Sequence, residues 1–441
     1  MKKNIYNFVL RRELRDLLGV LVVFSTFCAS VCADQKLGAD WVETLLEQSK
    51  TLRNYRGGVV FEDSTRSLVV KSDSAHVRVE DAVFLFVNGV SYEDTLRTIK
   101  ADTLAFFERK GLATFGGDVF LRSEARSIRA DAVRFFYEQE RLVATGGVEL
   151  GLAQGRNLRA SSIFYDLSLK QGSAIGNTKL HVSSKDRDTI FAQADSMTFS
   201  QGGKALLLEG SVAFRQGSTK SAARSASYSD SLIVLSGDPG LQWSDSSRPD
   251  TFSAQAELMH LRSDERVLSK LAFVDSTVIF SASGAGNNRN VSTIHADSAE
   301  IVFKKKKPHG LKAWGNVVLE LVSPDSSQAT MSGQVLKIAY ADGRPDSLTF
   351  TGTCMGVYVA EESKEKSLLG GETAVLYFLD GQLDQMSLFD EAFCIRSEKN
   401  SEDMRVSGDY LKIWFEAGKV VTIQAEGAVK GHYHAQKETG P

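Results

Sequence analysis

A small residue returns along almost the whole chain inside a fixed pattern of neighbours. Its positions are Ala101, Ala130, Ala160, Ala194, Ala223, Ala254, Ala296, Gly333, Gly371 and Gly408, with Ser72 fitting as a first member. Successive intervals run from 29 to 42 residues, near 30 early in the chain and near 37 late in it. Self-similarity at this period means stacked supersecondary units, each of which buries its apolar side only against its neighbours.

Two residues before the anchor the side chain is usually apolar, as at Val70, Ile99, Ile128, Leu158 and Ile294. Three and five residues after it the chain is apolar again. Leu104, Val133 and Ile163 stand at plus three, and Val77, Phe106, Phe135, Tyr165, Phe199, Tyr228, Met259, Ile301, Ile338, Leu376 and Ile413 at plus five. Positions minus two and zero share one parity, plus three and plus five the other. A strand keeps one parity on one face, so the slip predicts a bulge or corner just after the anchor, where only a small inward residue fits. Asp follows the anchor at 73, 102, 131, 195, 297 and 409, and reads as a corner residue that bonds its own backbone.

A second signature lies 16 residues beyond several anchors: Gly117-x-Val119-x-Leu121, Gly146-x-Val148-x-Leu150, Gly176-x-Thr178-x-Leu180 and Gly210-x-Val212-x-Phe214. Alternation after Gly reads as a turn and a half-buried strand. Each repeat is therefore turn, strand, turn, strand.

With 42% hydrophobic residues in 441 the chain has ample apolar surface for an extended core. A formal net charge of -3, with no basic-aromatic stripe, argues against a nucleic-acid partner. Lys2, Lys3, Arg11, Arg12 and Arg15 precede an apolar run that closes at Val31-Cys32-Ala33. This layout predicts a secretory signal peptide over 1–33, with an uncleaved inner-membrane anchor as the alternative. Residues 34–54, with Trp41, Leu45, Leu46 and Leu52 on one side, read as a short helical cap over an open sheet edge. Export would permit a disulfide between Cys354 and Cys394. If one strand separates theirs, however, the gap is about 9.6 Å, beyond the reach of such a bond.

The change of period divides the array into a β-repeat module over 55–253, an irregular repeat or boundary over 254–293, and a second module over 294–435, followed by a tail at 436–441. The misfit copy contains the polar, turn-rich stretch 281–290.

The alternation of Ile99-Lys-Ala-Asp102 with Gly117-Asp-Val-Phe-Leu121, then of Ile128-Arg-Ala-Asp131 with Gly146-Gly-Val-Glu-Leu150, resembles the OstA-like repeat. That repeat belongs to the periplasmic lipopolysaccharide-transport family of LptA, LptC and the LptD N-terminal domain. The array is about twice as long as a usual bridge protein of this family, and no run of outer-membrane barrel strands follows it. The resemblance implies an all-β fold, a repetitive antiparallel β-jellyroll or β-taco, in which two sheets face each other in a V around an apolar groove. It also implies a periplasmic protein that binds lipopolysaccharide or a related glycolipid and carries it toward the outer membrane. The plus-three and plus-five residues named above would line the groove. Inner- and outer-membrane partners of the same transport system, or further copies of the chain, would pair with it edge to edge. No cofactor is implied.

Two other classes compete. A structural docking rod would need the same apolar interior without a lipid path. A β-repeat enzyme acting on polysaccharide would need a clustered catalytic set, whereas the histidines are dispersed and His432-x-His434 has no acidic or cysteine companion for a metal site. The basic run 304–307 reads as a solvated hairpin tip rather than a phosphate clamp.

Overall fold

The computed structural model describes residues 35–433, except 48–49, 124–125, 153–154, 184–188, 201–202, 230, 245–249, 265–266, 286–287, 305–306, 325, 342–343, 362–364, 380–381, 399–400 and 417–418. The segment 1–33, expected to be a signal peptide, and the tail 436–441 lie outside these residues. The described chain is almost entirely antiparallel strand, with one short 3-10 turn at Glu108–Lys110. Two compact units emerge: residues 1–183 with 193–208, and residues 184–192 with 209–441. The division thus falls near 184–208, upstream of the boundary expected at 254–293.

The first unit opens with β1 (Gln35–Gly38), β2 (Trp41–Glu47) and β3 (Lys50–Asp63). A meander follows: β4 (Leu68–Arg78), β5 (Val83–Glu93), β6 (Thr98–Phe107), β7 (Leu112–Ser123), β8 (Arg126–Phe136), β9 (Arg141–Leu152), β10 (Arg156–Asp166) and β11 (Gln171–Val182). Each strand pairs with the next. The helical cap expected over 34–54 is not formed. β2 pairs with the first half of β3 and β1 with its second half. The apolar side there is weak, and the unpaired donors and acceptors of β3 give an extended chain ladder bonds that an isolated helix would not have.

The register slips in mid-strand, just after each anchor: between Lys71 and Ser74, Lys100 and Thr103, Arg129 and Ala132, and Arg159 and Ser162. The expected bulge is therefore present in every one of these copies. The glycine signature is not a turn between strands, though. Gly117 (φ 77°) and Gly146 (φ 81°) sit within continuous strands at the same corner. Each strand thus contributes one half to each of two facing half-sheets. Because the bulge reverses parity, residues at minus two and at plus five both point into the space between them.

Two strands are shared by the units, β12 (Ile190–Ser200) and β13 (Ala205–Gln216). The second unit continues with β14 (Thr219–Ser229), β15 (Leu232–Ser236), β16 (Gly240–Ser244), β17 (Thr251–Gln255), β18 (Leu258–Asp264) and β19 (Val267–Ala285). Here the strands break at the corner instead of bulging through it. β15 and β16 both pair with β14, and β17 and β18 both pair with β19. Pro239, which has no N–H for the ladder, lies in the first break. In the polar stretch 281–290, expected to be a boundary or a protruding loop, residues 281–285 belong to β19 and residues 288–290 to the start of β20 (Asn288–Lys304), with which β19 pairs.

The later strands are longer: β21 (Lys307–Val322), β22 (Gln328–Ala341), β23 (Arg344–Val359), β24 (Lys366–Leu379), β25 (Gln382–Glu398) and β26 (Ser401–Glu416). Two short strands, β27 (Lys419–Glu426) and β28 (Lys430–Tyr433), pair with the two halves of β26. Of the basic run 304–307, Lys304 ends β20 and Lys307 begins β21. Cys354 and Cys394 are free and buried, on the two strands flanking β24.

Candidate functional site

The interior between the half-sheets is where the repeated residues converge. Val77, Leu104, Phe106, Val133, Phe135, Ile163, Tyr165, Phe199, Met259, Ile301, Ile338, Leu376 and Ile413 are all buried. Tyr228, beside the broken strands, is half-buried. In the first unit this interior is filled by rings that meet across it. Phe61 projects from one half-sheet, and its ring centroid lies 5.1 Å from that of Phe84 and 6.0 Å from that of Phe106 on the other. Tyr92 likewise meets Phe115 at 5.5 Å and Phe135 at 6.5 Å.

The corner is built from paired residues on adjacent strands. A Cβ placed on Gly117, Gly146, Gly315 or Gly427 would overlap the carboxylate of Asp102, Asp131, Asp297 or Asp409 respectively. The aspartate after the anchor therefore packs over the glycine of the next strand. It was expected to serve its own backbone, and its packing over the glycine ties the two signatures together, at 15 residues in the first two pairs and 18 in the last two.

Opposite the corner, the two half-sheets end in rows of turns, here termed lips. In the first unit, residues on the two lips touch, and arginines make most of these contacts. Arg66 contacts Asp63 on its own lip at 2.6 Å and Glu108 on the other at 3.8 Å, with its guanidinium 5.2 Å over the Tyr137 ring. Gln35 donates to both Asp63 (3.0 Å) and Glu108 (2.7 Å). Against desolvation by burial, Tyr137, Asp63 and Glu108 hold Arg66 above its ordinary pKa, while burial raises that of Tyr137 to about 12.

Arg97 forms the next rung. It meets Asp94 at 3.1 Å, crosses to Glu140 at 3.2 Å, and lies 4.7 Å over Phe135. Its Nη1 is buried without a hydrogen-bond partner among the described residues. Arg126 follows, 5.6 Å over the Tyr165 ring. Arg156 then donates to the carbonyl of Gly203 at 2.9 Å.

Arg97, Arg126 and Arg156 each stand four residues before an anchor, on the inward parity and at the rim of the apolar interior. Arg97 and Arg126 cover the plus-five aromatic of the following repeat. This seam was not foreseen from the sequence, although the arginine spacing carries the signal. In the second unit the matching positions hold Ile190, Thr219, Asp250, Ser292, Ala329, Ser367 and Met404.

Among the described residues, no group of three or more His, Cys, Asp or Glu is placed to hold a metal ion. Residues 98–231, from β6 to β14, match the family described as LptA/(LptD N-terminal domain) LPS transport protein. That stretch, under a third of the chain, is thus similar to the lipopolysaccharide-transport family its repeats resemble. No curated protein matches the chain.

Proposed function

We propose that the space between the half-sheets receives the acyl chains of lipopolysaccharide, and that the protein shields them in the periplasm as part of a path to the outer membrane. One observation carries this reading beyond the family match: the inward positions repeat as apolar residues in both units and form a dry strip along each. Each methylene moved from water to such a surface gains about 0.8 kcal/mol. Repetition of similar rungs favours passage from one to the next over capture at one of them. The lips close this interior in the first unit, so acyl chains reach it by parting the seam and displacing ring contacts. Partners of the same transport system would pair with exposed strand edges such as that of β2.

The direct contacts between Phe61 and Phe84 and between Tyr92 and Phe115 favour a second reading, a packed docking rod without a lipid path. Photocrosslinking in cells separates the two, with probes at buried Phe106, Phe135 and Ile338 and at exposed Arg134 as the outward control. Lipopolysaccharide adducts at the three inward sites and not at Arg134 support transport. A folded, exported protein with no adduct at any inward site is the docking rod.

A further inference from the structure

The seam is not uniform, and its differences have a chemical meaning. At the Arg66 and Arg97 rungs the arginine sits between two carboxylates, Asp63 with Glu108 and Asp94 with Glu140. An incoming anion would be repelled there. At the next two rungs the recorded partners are neutral: the Tyr165 ring for Arg126 and the Gly203 carbonyl for Arg156. Asp166, the carboxylate next to Tyr165, is engaged by Arg141 at 3.0 Å and by the Ser168 hydroxyl and Leu169 N–H. No carboxylate among the described residues pairs with Arg126 or Arg156.

We propose that Arg126 and Arg156 form a head-group site for a phosphorylated amphiphile whose chains lie between the half-sheets. The proposal rests on the lipid reading above and specifies which chemical group is recognised and where. Both side chains stand at the rim of the apolar interior, where the head of an amphiphile emerges when its tails are buried. They start alternate strands, about 9.6 Å apart at two strand spacings, which suits two phosphates on one sugar head or one phosphate passed between rungs. A planar guanidinium binds phosphate oxygens through two parallel N–H donors, and exchanges a ring face or a neutral carbonyl for them at a net gain. The two carboxylate-bound rungs stay closed beside this site and keep the rest of the interior dry.

The test uses the full chain with a photocrosslinker at buried Ile163, on the strand that Arg156 starts, and two probes: bisphosphorylated lipid A, and the same lipid A after phosphatase treatment. The wild type should crosslink the phosphorylated form about tenfold more than the dephosphorylated one, the scale of one charge-assisted contact. The R126Q/R156Q variant should crosslink both about equally. R129Q/R159Q, on the outward face, should keep the wild-type ratio. Equal crosslinking of the two lipids by the wild type, or an unchanged ratio in R126Q/R156Q, overturns the head-group site and leaves lipid shielding intact. No crosslink to either lipid overturns the lipid reading and the head-group site with it. Should R126Q/R156Q not fold, R126K/R156K keeps the charge without the planar fork, and an intermediate ratio is expected. An unchanged ratio there counts against the site.

Discussion

The Asp131 carboxylate occupies the space that a side chain on Gly146 would need, across the corner between β8 and β9. Gly146 has φ 81°, while its neighbour Gly147, at φ 56°, has nothing within 4 Å of its Cβ position. The two glycines thus separate backbone strain from steric conflict. G147A should cost about 1 kcal/mol for the left-handed backbone alone. G146A should cost more, about 2–4 kcal/mol, because a clash adds to the strain. In the D131A background the difference between the two should shrink. Denaturant midpoints of the four variants check this, and equal costs for G146A and G147A would sink the pairing.

Phe135 lies under Arg97 and against Tyr92, with 1% of its surface exposed. Phe164, on the opposite face of the neighbouring repeat, is 41% exposed. F135A should destabilise the first unit by about 3–5 kcal/mol. F164A should stay within about 0.5 kcal/mol of wild type. Chemical unfolding of the two single variants reads the contrast directly.

Arg97 and Lys50 both make ion pairs, but in different surroundings. The Arg97 side chain is 7% exposed and its Asp94 partner 12%, against 61% and 39% for Lys50 and Asp81. R97A should cost about 2–3 kcal/mol because Asp94 is left in a dry site. K50A should cost under about 1 kcal/mol and show a dependence on salt. A loss in R97A no greater than in K50A would mean that the seam is loosely held.

Burial pushes the Cys354 and Cys394 thiols up to about 11. The unfolded chain releases these protons near pH 8.5, so the thiols contribute stability that is intact below that pH. This contribution declines as the pH rises toward 11 and is fully lost above it. Stability measured from pH 8 to 11 should therefore fall less steeply in a C354A/C394A variant than in the wild type. Native alkylation at pH 8 should be slow at both sites and become fast only on unfolding.

Much of this fold is legible in residue parity. The apolar positions on either side of Ala101 and Ala130 change parity, and the bulge lies where they change. The inward face was legible for the same reason, and Tyr228, opposite Ile233 of the short strand β15, is the one plus-five residue that is only half-buried. The Asp131–Gly146 pairing was carried only by the recurrence of the two signatures in step, which by itself does not say that two residues touch. Residues 41–54 show why local pattern fails at an edge: Leu45 and Leu52 are ladder partners, a relation with no helical periodicity. The seam was the least legible feature. Arg97 and Glu140 are 43 residues apart and meet only once the lips close, so nothing near either residue announces the other.

In the first unit, β3 to β11 run unbroken through the corner, so both half-sheets are made from the same nine pieces of chain. Neither can slide along the other or change its register alone without breaking ladder bonds in both. The motion that the ladders themselves leave open is a change of angle about the line of glycines and aspartates, as covers turn on the spine of a book, held in check by the seam contacts. Small rotations there become large displacements at the far edge, where the arginines stand.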